Sequence, residues 1–329
     1  MKVLVTGGAG YIGSHTVREL VNRGHEAIVL DTLESGRREL AERAGASRLI
    51  VGSTSDRSLL DSIFAEEQPQ AVMHFAAYKA AGESVAQPAK YFANNIVNTL
   101  QLLGAMLCHD VKLFIFSSSC SIFGTPSITP VAEDNNPTSP ESPYGESKLM
   151  VEKILGWYDR AYALRSVSLR YFNAAGASLD GQLGEDWSAS QNLVPLVMKA
   201  ALGYAQSVQV LGTDYPTPDG TCIRDYVHVA DLAEAHVLAL EYLVESNIST
   251  AYNLGTQRGS SVKEVIDTIR RISNSDFRVE YAGRRPGDPP AIWADSSRAQ
   301  RELGWHPRHD LDTILRTAYE WHKAHPDGY

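Results

Sequence analysis

The chain has few cysteines and no long hydrophobic run. Its 329 residues include three cysteines, at positions 108, 120 and 222, and none belongs to a C-x-x-C pair. This small, odd number argues against a disulfide framework or a zinc site, so we expect a cytoplasmic protein. No apolar segment approaches the roughly 18 residues of a membrane-spanning helix, and the apolar N-terminal segment is too short for a signal peptide. We therefore expect no membrane partner.

Positive charge is also scarce. Lysine and arginine total 30 against 39 aspartate and glutamate residues, which gives a formal net charge of −9. This balance argues against a nucleic-acid partner, because such proteins carry a basic surface. The content of 43% hydrophobic and 21% charged residues is typical of a folded globular chain.

Residues 2 to 31 predict a strand, a tight turn, a helix and a second strand. A short apolar run ends at Gly8, Gly10 and Gly13, which match G-x-G-x-x-G, and apolar residues then recur at helical spacing. Such a turn lets the backbone approach a pyrophosphate, while the helix directs its unpaired N–H groups at that anion. The segment therefore predicts a dinucleotide site.

A carboxylate ends the second predicted strand. Asp31 stands where it can accept hydrogen bonds from the two hydroxyls of a ribose and repel a 2′-phosphate. Arg37 and Arg38 follow closely and keep NADP open as an alternative. We expect NAD, because the carboxylate lies at the ribose position.

Short apolar runs alternate with helical stretches as far as about Asn173. This alternation predicts an α/β fold with a doubly wound parallel sheet of the Rossmann type. From Ala174 onwards, loops with glycine and proline alternate with short helices, which predicts a smaller C-terminal substrate-binding lobe. We expect lobes of residues 1–173 and 174–329, with segments near 224–255 returning to the sheet. The strands predicted after the first two lie at residues 48–51, 71–75, 112–116 and 166–169.

Two long helices are predicted, over residues 84–107 and 144–163. The first carries apolar residues on more than one face, which suits either core packing or contact with a second subunit. We favour an interface that these helices share between two copies of the chain, and hence a homodimer.

The second of these helices opens with Ser142-Pro-Tyr144-Gly-Glu-Ser-Lys148. Tyr144 and Lys148 are four residues apart, so an ammonium can lie beside the phenol. Lowering the pKa of a tyrosine by about 3 units needs about 4 kcal/mol, which one cation at ~4 Å supplies. The pair thus predicts a phenolate that takes a hydroxyl proton while hydride leaves the same carbon, and Ser119 would hold that oxygen.

With these motifs the chain resembles the extended short-chain dehydrogenase/reductase family, and within it the UDP-sugar 4-epimerases. The resemblance runs nearly from end to end. The C-terminal blocks are the most specific, because the whole superfamily shares the glycine turn and the Y-x-x-x-K pair. The matching blocks lie at residues 5–15, 74–79, 82–85, 114–119, 142–152, 170–173, 224–228, 252–255 and 284–288.

The resemblance implies a tightly bound NAD and a UDP-sugar substrate. It implies that Tyr144 removes the 4-hydroxyl proton while hydride passes to the nicotinamide. The transient 4-keto sugar then turns and takes the hydride back on its other face, which interconverts UDP-galactose and UDP-glucose. The alternatives are a related epimerase of UDP-N-acetylhexosamines or UDP-pentoses, a 4,6-dehydratase and a non-catalytic NAD-binding module. Dehydration is disfavoured because Cys120 and Ser121, not an acidic pair, follow Ser119.

The resemblance also assigns roles to individual residues. The catalytic residues would be Ser119, Tyr144 and Lys148. The cofactor would be contacted by Gly7, Gly10, Tyr11, Ile12, Asp31, Phe75, Ala76, Lys79, Asn94, Ser117, Tyr144, Lys148 and Phe172. The substrate would be held by Ser119, Asn173, Asn192, Leu193, Arg224, Arg285 and Asp288.

Four positions depart from the family pattern. Ser53 stands where an aspartate usually meets the adenine, Thr32 replaces an asparagine near the ribose, and Leu211 replaces an aromatic residue near the uracil. Ile292 stands where hexose-restricted members carry tyrosine and members that accept N-acetylated sugars carry a smaller residue.

Two histidine pairs, His306/His309 and His322/His325, have a spacing that a metal site can use. No cysteine or matched carboxylate accompanies them, so we expect surface histidines and no metal site.

Overall fold

The computed structural model describes residues 1–134, 137–188, 190, 192–285 and 288–329. Pro286 and Gly287, in the last of the matching sequence blocks, lie outside the described residues. Among the helices described, none is long and apolar enough to cross a bilayer.

The strands and helices alternate through the first half of the chain. The strands are β1 (Lys2–Thr6), β2 (Glu26–Asp31), β3 (Arg48–Val51), β4 (Ala71–His74), β5 (Leu113–Ser117), β6 (Arg165–Tyr171), β7 (Asn173–Ala175), β8 (Ser207–Leu211), β9 (Ile223–Arg224), β10 (Tyr226–His228), β11 (Thr250–Leu254), β12 (Ser260–Ser261), β13 (Arg278–Ala282) and β14 (Ala291–Ile292). The helices are α1 (Tyr11–Asn22), α2 (Arg38–Arg43), α3 (Arg57–Glu67), α4 (Ala81–Ala86), α5 (Pro88–Phe92), α6 (Asn98–Cys108), α7 (Pro143–Tyr162), α8 (Leu193–Ala201), α9 (Val229–Ser246), α10 (Val262–Ser273), α11 (Ser297–Leu303) and α12 (Leu311–Ala324).

Seven strands form one parallel sheet, in the order β3-β2-β1-β4-β5-β6-β11. Helices cover both faces of it. Val3 and Val5 of β1 pack in the hydrophobic cluster that contains α1 and α9, while Leu4 packs in the cluster that contains α3, α6 and α7. The alternation arises because successive side chains of a strand point to opposite faces. The predicted doubly wound parallel fold is confirmed.

The second half of the chain adds small sheets and helices. β8 pairs with β13, β7 pairs with β10, and β9 pairs with β12 and β14. Helices α8, α10 and α12 pack around a separate hydrophobic cluster that includes Val197, Ile269 and Leu315. Residues 250–254 return to the main sheet as β11, whereas much of the segment 224–240 returns as α9, which packs on the face of that sheet.

The predicted single helix over residues 84–107 is wrong. The chain forms α4, then α5, a π-helical turn (Ala93–Val97) and α6. Pro88 starts α5 at its first turn and Gln87 before it is non-helical, because the ring of a proline disfavours helical geometry in the preceding residue. The periodicity of the apolar residues did not reveal this break.

Candidate active site

The glycine turn after β1 packs against the end of β4. Gly7 has a φ of +75°, and a Cβ there would lie 2.6 Å from the amide nitrogen of Ala76. A Cβ on Gly13 would lie 2.2 Å from the carbonyl oxygen of Gly7. Both positions therefore require glycine. The backbone N–H groups of Phe75 and Ala76 donate to the carbonyl oxygen of Thr6 at 2.9 Å and 3.1 Å, which joins the ends of β1 and β4.

Helix α1 begins beside this turn. Gly10 is its N-cap, and no side chain in the described part of the chain caps it. The first-turn N–H groups, which include those of Tyr11 and Ile12, are therefore available to an anion. The Tyr11 hydroxyl donates a 2.6 Å hydrogen bond to the carbonyl oxygen of Gly176, which ties α1 to the segment after β7. The glycine turn and the helix together fit a pyrophosphate.

Asp31 lies at the end of β2 and is buried. Its Oδ2 accepts the N–H of Ala9 in the glycine turn at 3.0 Å, and its Oδ1 accepts the N–H of Leu33 at 2.9 Å. Burial raises the pKa of Asp31, and these two hydrogen bonds oppose the rise. Arg37 forms a 2.6 Å ion pair with Asp186, so its charge is already neutralised within the chain. This pairing disfavours a 2′-phosphate and agrees with the expectation of NAD.

The remaining residues expected at the cofactor occupy different environments. Asn94 lies in the π-helical turn and donates to Asn95 Oδ1 at 3.0 Å. Phe172 is buried in the cluster that contains Cys120 and Ile292. Lys79, after β4, is exposed.

Three consecutive serines end β5, and each has a different partner. The Ser117 hydroxyl lies 2.5 Å from the Tyr171 hydroxyl, and the Ser118 hydroxyl donates to Glu152 Oε1 at 2.5 Å. Ser119 lies two residues beyond the strand, where its hydroxyl caps the following 3₁₀ turn through the N–H of Ser121. The end of β5 is therefore held by hydrogen bonds to β6 and to α7.

Tyr144 and Lys148 lie in the first turns of α7, beside these serines. Ser142 caps this helix and Pro143 occupies its first turn, so the sequence sets where it begins. Lys148 is buried; its Nζ donates to the Ser117 carbonyl oxygen at 2.8 Å and lies 6.0 Å from the centroid of the Tyr144 ring. Phenol, ammonium and the Ser119 hydroxyl thus meet at the carboxyl end of β5.

Burial dominates the ionisation of both groups. It raises the pKa of Tyr144 to about 12, and hydrogen bonding to Ser119 opposes this rise. It lowers the pKa of Lys148 to about 7, and the Glu152 carboxylate opposes this fall. Among the chain's own groups, burial therefore dominates the pKa of the Tyr144 phenol. The reason is that the buried phenolate loses more hydration than the ammonium at this separation restores.

A second polar group lies on the C-terminal part of the chain. Asp288 accepts from Arg285 at 2.7 Å and lies 3.3 Å from Arg224, whose guanidinium also donates to the carbonyl oxygen of Pro289. Asn173 donates through its side chain to the carbonyl oxygen of Asp225 at 3.1 Å. The group contains two cations and one anion, so it can attract an anionic ligand.

Helix α8 begins with Leu193, and Asn192 is its exposed N-cap. The Asn192 side chain makes no capping hydrogen bond among the described residues. The first N–H groups of α8 thus offer a further anion site.

Cys120 joins the two halves of the site. It follows Ser119, and burial raises its pKa to about 12 while Arg224 lowers and Asp225 raises that pKa. Ile292 packs with it and pairs in register with Arg224 across β14 and β9. The serine strand end and Arg224 therefore lie on either side of Cys120.

The chain is similar to known proteins over most of its length. The family model described as "NAD dependent epimerase/dehydratase family" matches residues 3–255. The chain belongs to the NAD dependent epimerase/dehydratase family.

Relatives within this epimerase/dehydratase family match over the whole chain. A UDP-glucose 4-epimerase of Halalkalibacterium halodurans is 48% identical and covers 100% of this chain and 98% of its own length. The crystal structure of UDP-glucose-4-epimerase from Stenotrophomonas maltophila, with bound NAD and formylated UDP-arabinopyranose, is 41% identical with a TM-score of 0.96, covering 99% of both chains. The enzyme from Brucella ovis in complex with NAD is 46% identical with a TM-score of 0.94, covering 97% of both chains.

Sequence reasoning missed several polar residues that surround this epimerase/dehydratase site. Glu152 and Arg170 form an ion pair behind Lys148, and Tyr171 binds Ser117. His74 at the end of β4 bridges Thr6 and Thr99 at 2.6 Å and 2.9 Å. The i, i+4 spacing of Lys148 and Glu152 is a signal in the sequence that places Glu152 on the same helix face as Lys148.

The histidine pairs do not behave alike. His322 is buried against the Trp187 ring, so its prediction as a surface residue is wrong, and burial lowers its pKa to about 3. His309 contacts Asp231 at 2.7 Å. In the described residues no group of three His, Cys, Asp or Glu side chains is arranged to hold a metal ion.

The structure also gives the surroundings of three positions that depart from the family pattern. Ser53 accepts hydrogen bonds from the N–H and hydroxyl of Ser55, and Thr32 accepts the N–H of Glu34. Leu211 ends β8 in register with Ala282.

Proposed function

We propose that this protein is a UDP-glucose 4-epimerase that interconverts UDP-galactose and UDP-glucose with a tightly bound NAD. The observation that carries the proposal is the meeting of Ser119, Tyr144 and Lys148 at the end of β5, which lies two strands from the glycine turn of β1 and next to Cys120, a neighbour of Arg224. Full-length relatives named as UDP-glucose 4-epimerases support it.

In the proposed reaction, Tyr144 takes the proton of the sugar 4-hydroxyl and Ser119 holds that oxygen. NAD, the cofactor of this family, would accept the hydride from C4 of the sugar and return it. Tyr144 returns the proton after the 4-keto sugar has turned about its link to UDP, so the reaction is non-redox overall. Lys148 would support the phenolate with its positive charge, and oxidised NAD, when bound, would add positive charge beside the phenol.

We assign the cofactor and nucleotide contacts as the resemblance implies. The NAD contacts are Gly7, Gly10, Tyr11, Ile12, Asp31, Phe75, Ala76, Lys79, Asn94, Ser117, Tyr144, Lys148 and Phe172. The substrate contacts are Ser119, Asn173, Asn192, Leu193, Arg224, Arg285 and Asp288. The two arginines and the N-terminus of α8, which no described side chain caps, support a diphosphate on this side of the site.

Residues 1–173, with the returning strand β11, form the NAD-binding lobe in this proposal, and residues 174–329 are mainly the UDP-sugar lobe. One hydrophobic cluster lies within residues 4–164 and another within residues 175–318, which supports this division, while a third cluster, which includes α9, joins the two parts. The three cysteines form no disulfide among the described residues, which suits the reducing cytoplasm.

The chain also forms a homodimer in this proposal. Val97 and Leu100 expose apolar side chains on one side of the π-turn and α6, and Met150 and Trp157 do so on α7. Each pair is spaced to share one helix face, and a monomer seldom leaves such faces in water.

The test is to incubate the purified protein with UDP-galactose, without added NAD, and to separate the products by chromatography. The expected product is UDP-glucose, formed without net oxidation. Recovery of unchanged UDP-galactose, with NAD present on the protein, would contradict the proposal and favour a non-catalytic NAD-binding module.

A further inference from the structure

Glu152 occupies the third position of a row of polar side chains on α7. Tyr144, Lys148 and Glu152 are spaced by four residues, so they share one face of the helix. The side chains of Glu152 and its partner Arg170 are only 10% and 12% exposed. A charge pair this buried persists only where other groups satisfy it, because desolvation of each ion is costly.

The Glu152 carboxylate joins three elements. It accepts Arg170 Nη2 of β6 at 2.6 Å and Arg170 Nε at 3.0 Å, and it accepts the hydroxyl of Ser118 at the end of β5 at 2.5 Å. The Arg170 guanidinium also lies 5.5 Å from the Phe123 ring centroid. The carboxylate therefore holds α7 and both strand ends in register beside Ser119.

The same carboxylate acts on Lys148. Burial lowers the pKa of Lys148 to about 7, so its ammonium is half deprotonated near neutral pH. The charge of Glu152 is the one that opposes this fall in pKa. The ammonium is needed in its charged form, because it supports the Tyr144 phenolate and a neutral amine would not. A small change in the local field thus changes the charged fraction substantially.

The other titratable groups packed around α7 are neutral or paired near pH 7. Burial lowers the pKa of His74 on β4 to about 3, and it raises the pKa values of Tyr91 on α5 and Cys120 to about 12 and that of Tyr171 on β6 further. Glu83 on α4 is paired with Lys90 on α5 at 2.8 Å. Arg170 is paired with Glu152 itself.

We propose that Glu152 is a positioning residue for the reaction: its carboxylate fixes the Ser118 end of β5 and keeps the Lys148 ammonium charged beside Tyr144. The inference rests on the proposed function, since that is what gives Tyr144 and Lys148 their roles. A purely structural Glu152 would affect folding or rate equally at every pH, whereas this role makes the effect depend on pH.

The test compares kcat of wild type and Glu152→Gln over a range of pH in the NAD-loaded protein. Removing the negative charge makes Lys148 lose its proton more readily and makes the Tyr144 phenolate easier to form, so both pKa values fall. We expect both limbs of the kcat profile to move to lower pH by about one unit. At a given pH on the alkaline limb, kcat of the variant is then about tenfold below that of the wild type. At lower pH the two kcat values approach each other, and KM differs by less than about twofold.

The control is Asp159→Asn. Asp159 on α7 pairs with Arg165 at the start of β6, so it joins the same two elements at the end away from the active site. Its ratio of wild-type to variant kcat is expected to be constant with pH. A second variant, Glu152→Gln with Arg170→Met, removes both charges and avoids a buried unpaired guanidinium. It should move the alkaline limb in the same direction by a smaller amount.

An unchanged pH profile, or a loss of equal size at every pH in both Glu152 variants, overturns the inference. Failure of the proposed function is distinguishable, because the wild type would then not convert UDP-galactose. In that case an ultraviolet titration of the Tyr144 phenolate, taken as the difference from Tyr144→Phe, tests Glu152 alone. If Glu152→Gln leaves the pKa of the Tyr144 phenol in this titration unchanged, the inference is overturned there too.

Discussion

At the scale of single residues, the ionisation of Tyr144 depends on more than its neighbour Lys148. Burial raises the pKa of Tyr144 to about 12 and lowers that of Lys148 to about 7, so the polypeptide alone keeps the phenol protonated. Proton removal then depends on additional positive charge within the cleft. An epimerase benefits from this dependence, because the base becomes effective when the oxidised cofactor is in place.

Tyr144→Phe removes the phenol hydroxyl and keeps the ring. We expect kcat for UDP-galactose to fall by about 10²–10⁴-fold, the usual contribution of a positioned general base. NAD should stay bound, because the glycine turn, Asp31 and Lys148 are unaltered. Turnover and the absorbance of bound cofactor are the measurements.

Tyr162→Phe is the matched control for this loss. Tyr162 ends α7, is half exposed and lies far along the helix from the site, so its variant should keep wild-type kcat. Near-wild-type turnover by Tyr144→Phe would exclude Tyr144 as the base.

Ile292 tests sugar specificity at the scale of one side chain. It is buried beside Cys120 and Phe172, and its strand pairs it with Arg224, so a larger side chain there narrows the cleft. Ile292→Tyr should lower kcat/KM for UDP-N-acetylgalactosamine at least about tenfold more than for UDP-galactose. The measurement is the ratio of the two values in each protein.

Ile292→Leu conserves volume and should leave that ratio near its wild-type value. Equal losses on both sugars in Ile292→Tyr would remove Ile292 from the specificity argument.

At the scale of elements, local sequence signals predicted what local physics determines. The glycine turn, the strands of the central sheet and the capped start of α7 each follow from neighbouring residues, and all are present. The break at Pro88 was missed because apolar periodicity continues across it. The burial of His322 and the Glu152–Arg170 pair depend on residues distant in sequence, so no spacing within one segment could reveal them.

Gly7→Ala tests the contact between the glycine turn and the end of β4. The new Cβ would combine a strained φ of +75° with a 2.6 Å approach to Ala76 N, so the turn must move away from β4. We expect loss of most bound NAD and a lower unfolding free energy by about 1–3 kcal/mol. Cofactor content and denaturant unfolding are the measurements.

Gly24→Ala separates the effect of a strained backbone φ from the effect of a Cβ that lies too close to Ala76. Gly24 has nearly the same φ, +76°, and a Cβ there would have no neighbour within 4 Å among the described residues. This variant should keep its NAD. If both variants retained or both lost the cofactor, the close approach at Gly7 would not be what shapes the site.

At the scale of the whole molecule, the two parts of the chain meet around the cleft through several polar contacts. Tyr11 binds Gly176, Arg37 pairs with Asp186, and Cys120 lies near Arg224. Contacts between the two parts therefore add to the contacts within each part that hold the residues proposed for NAD and for the sugar nucleotide. We infer that cofactor retention and substrate binding weaken together when these contacts are broken.

The proposed dimer is the last feature of the whole molecule that a variant can test. Trp157 is 67% exposed on α7, on the same face as Met150, so a charge there would lie in the middle of the proposed interface. Trp157→Glu should shift the protein from dimer to monomer in size-exclusion chromatography with light scattering, because an unpaired buried charge is strongly unfavourable. Ile248→Glu alters an exposed apolar residue after α9, outside that face, and should remain dimeric. A monomeric wild type, or a Trp157→Glu protein that stays dimeric, would show that these helices do not form the interface.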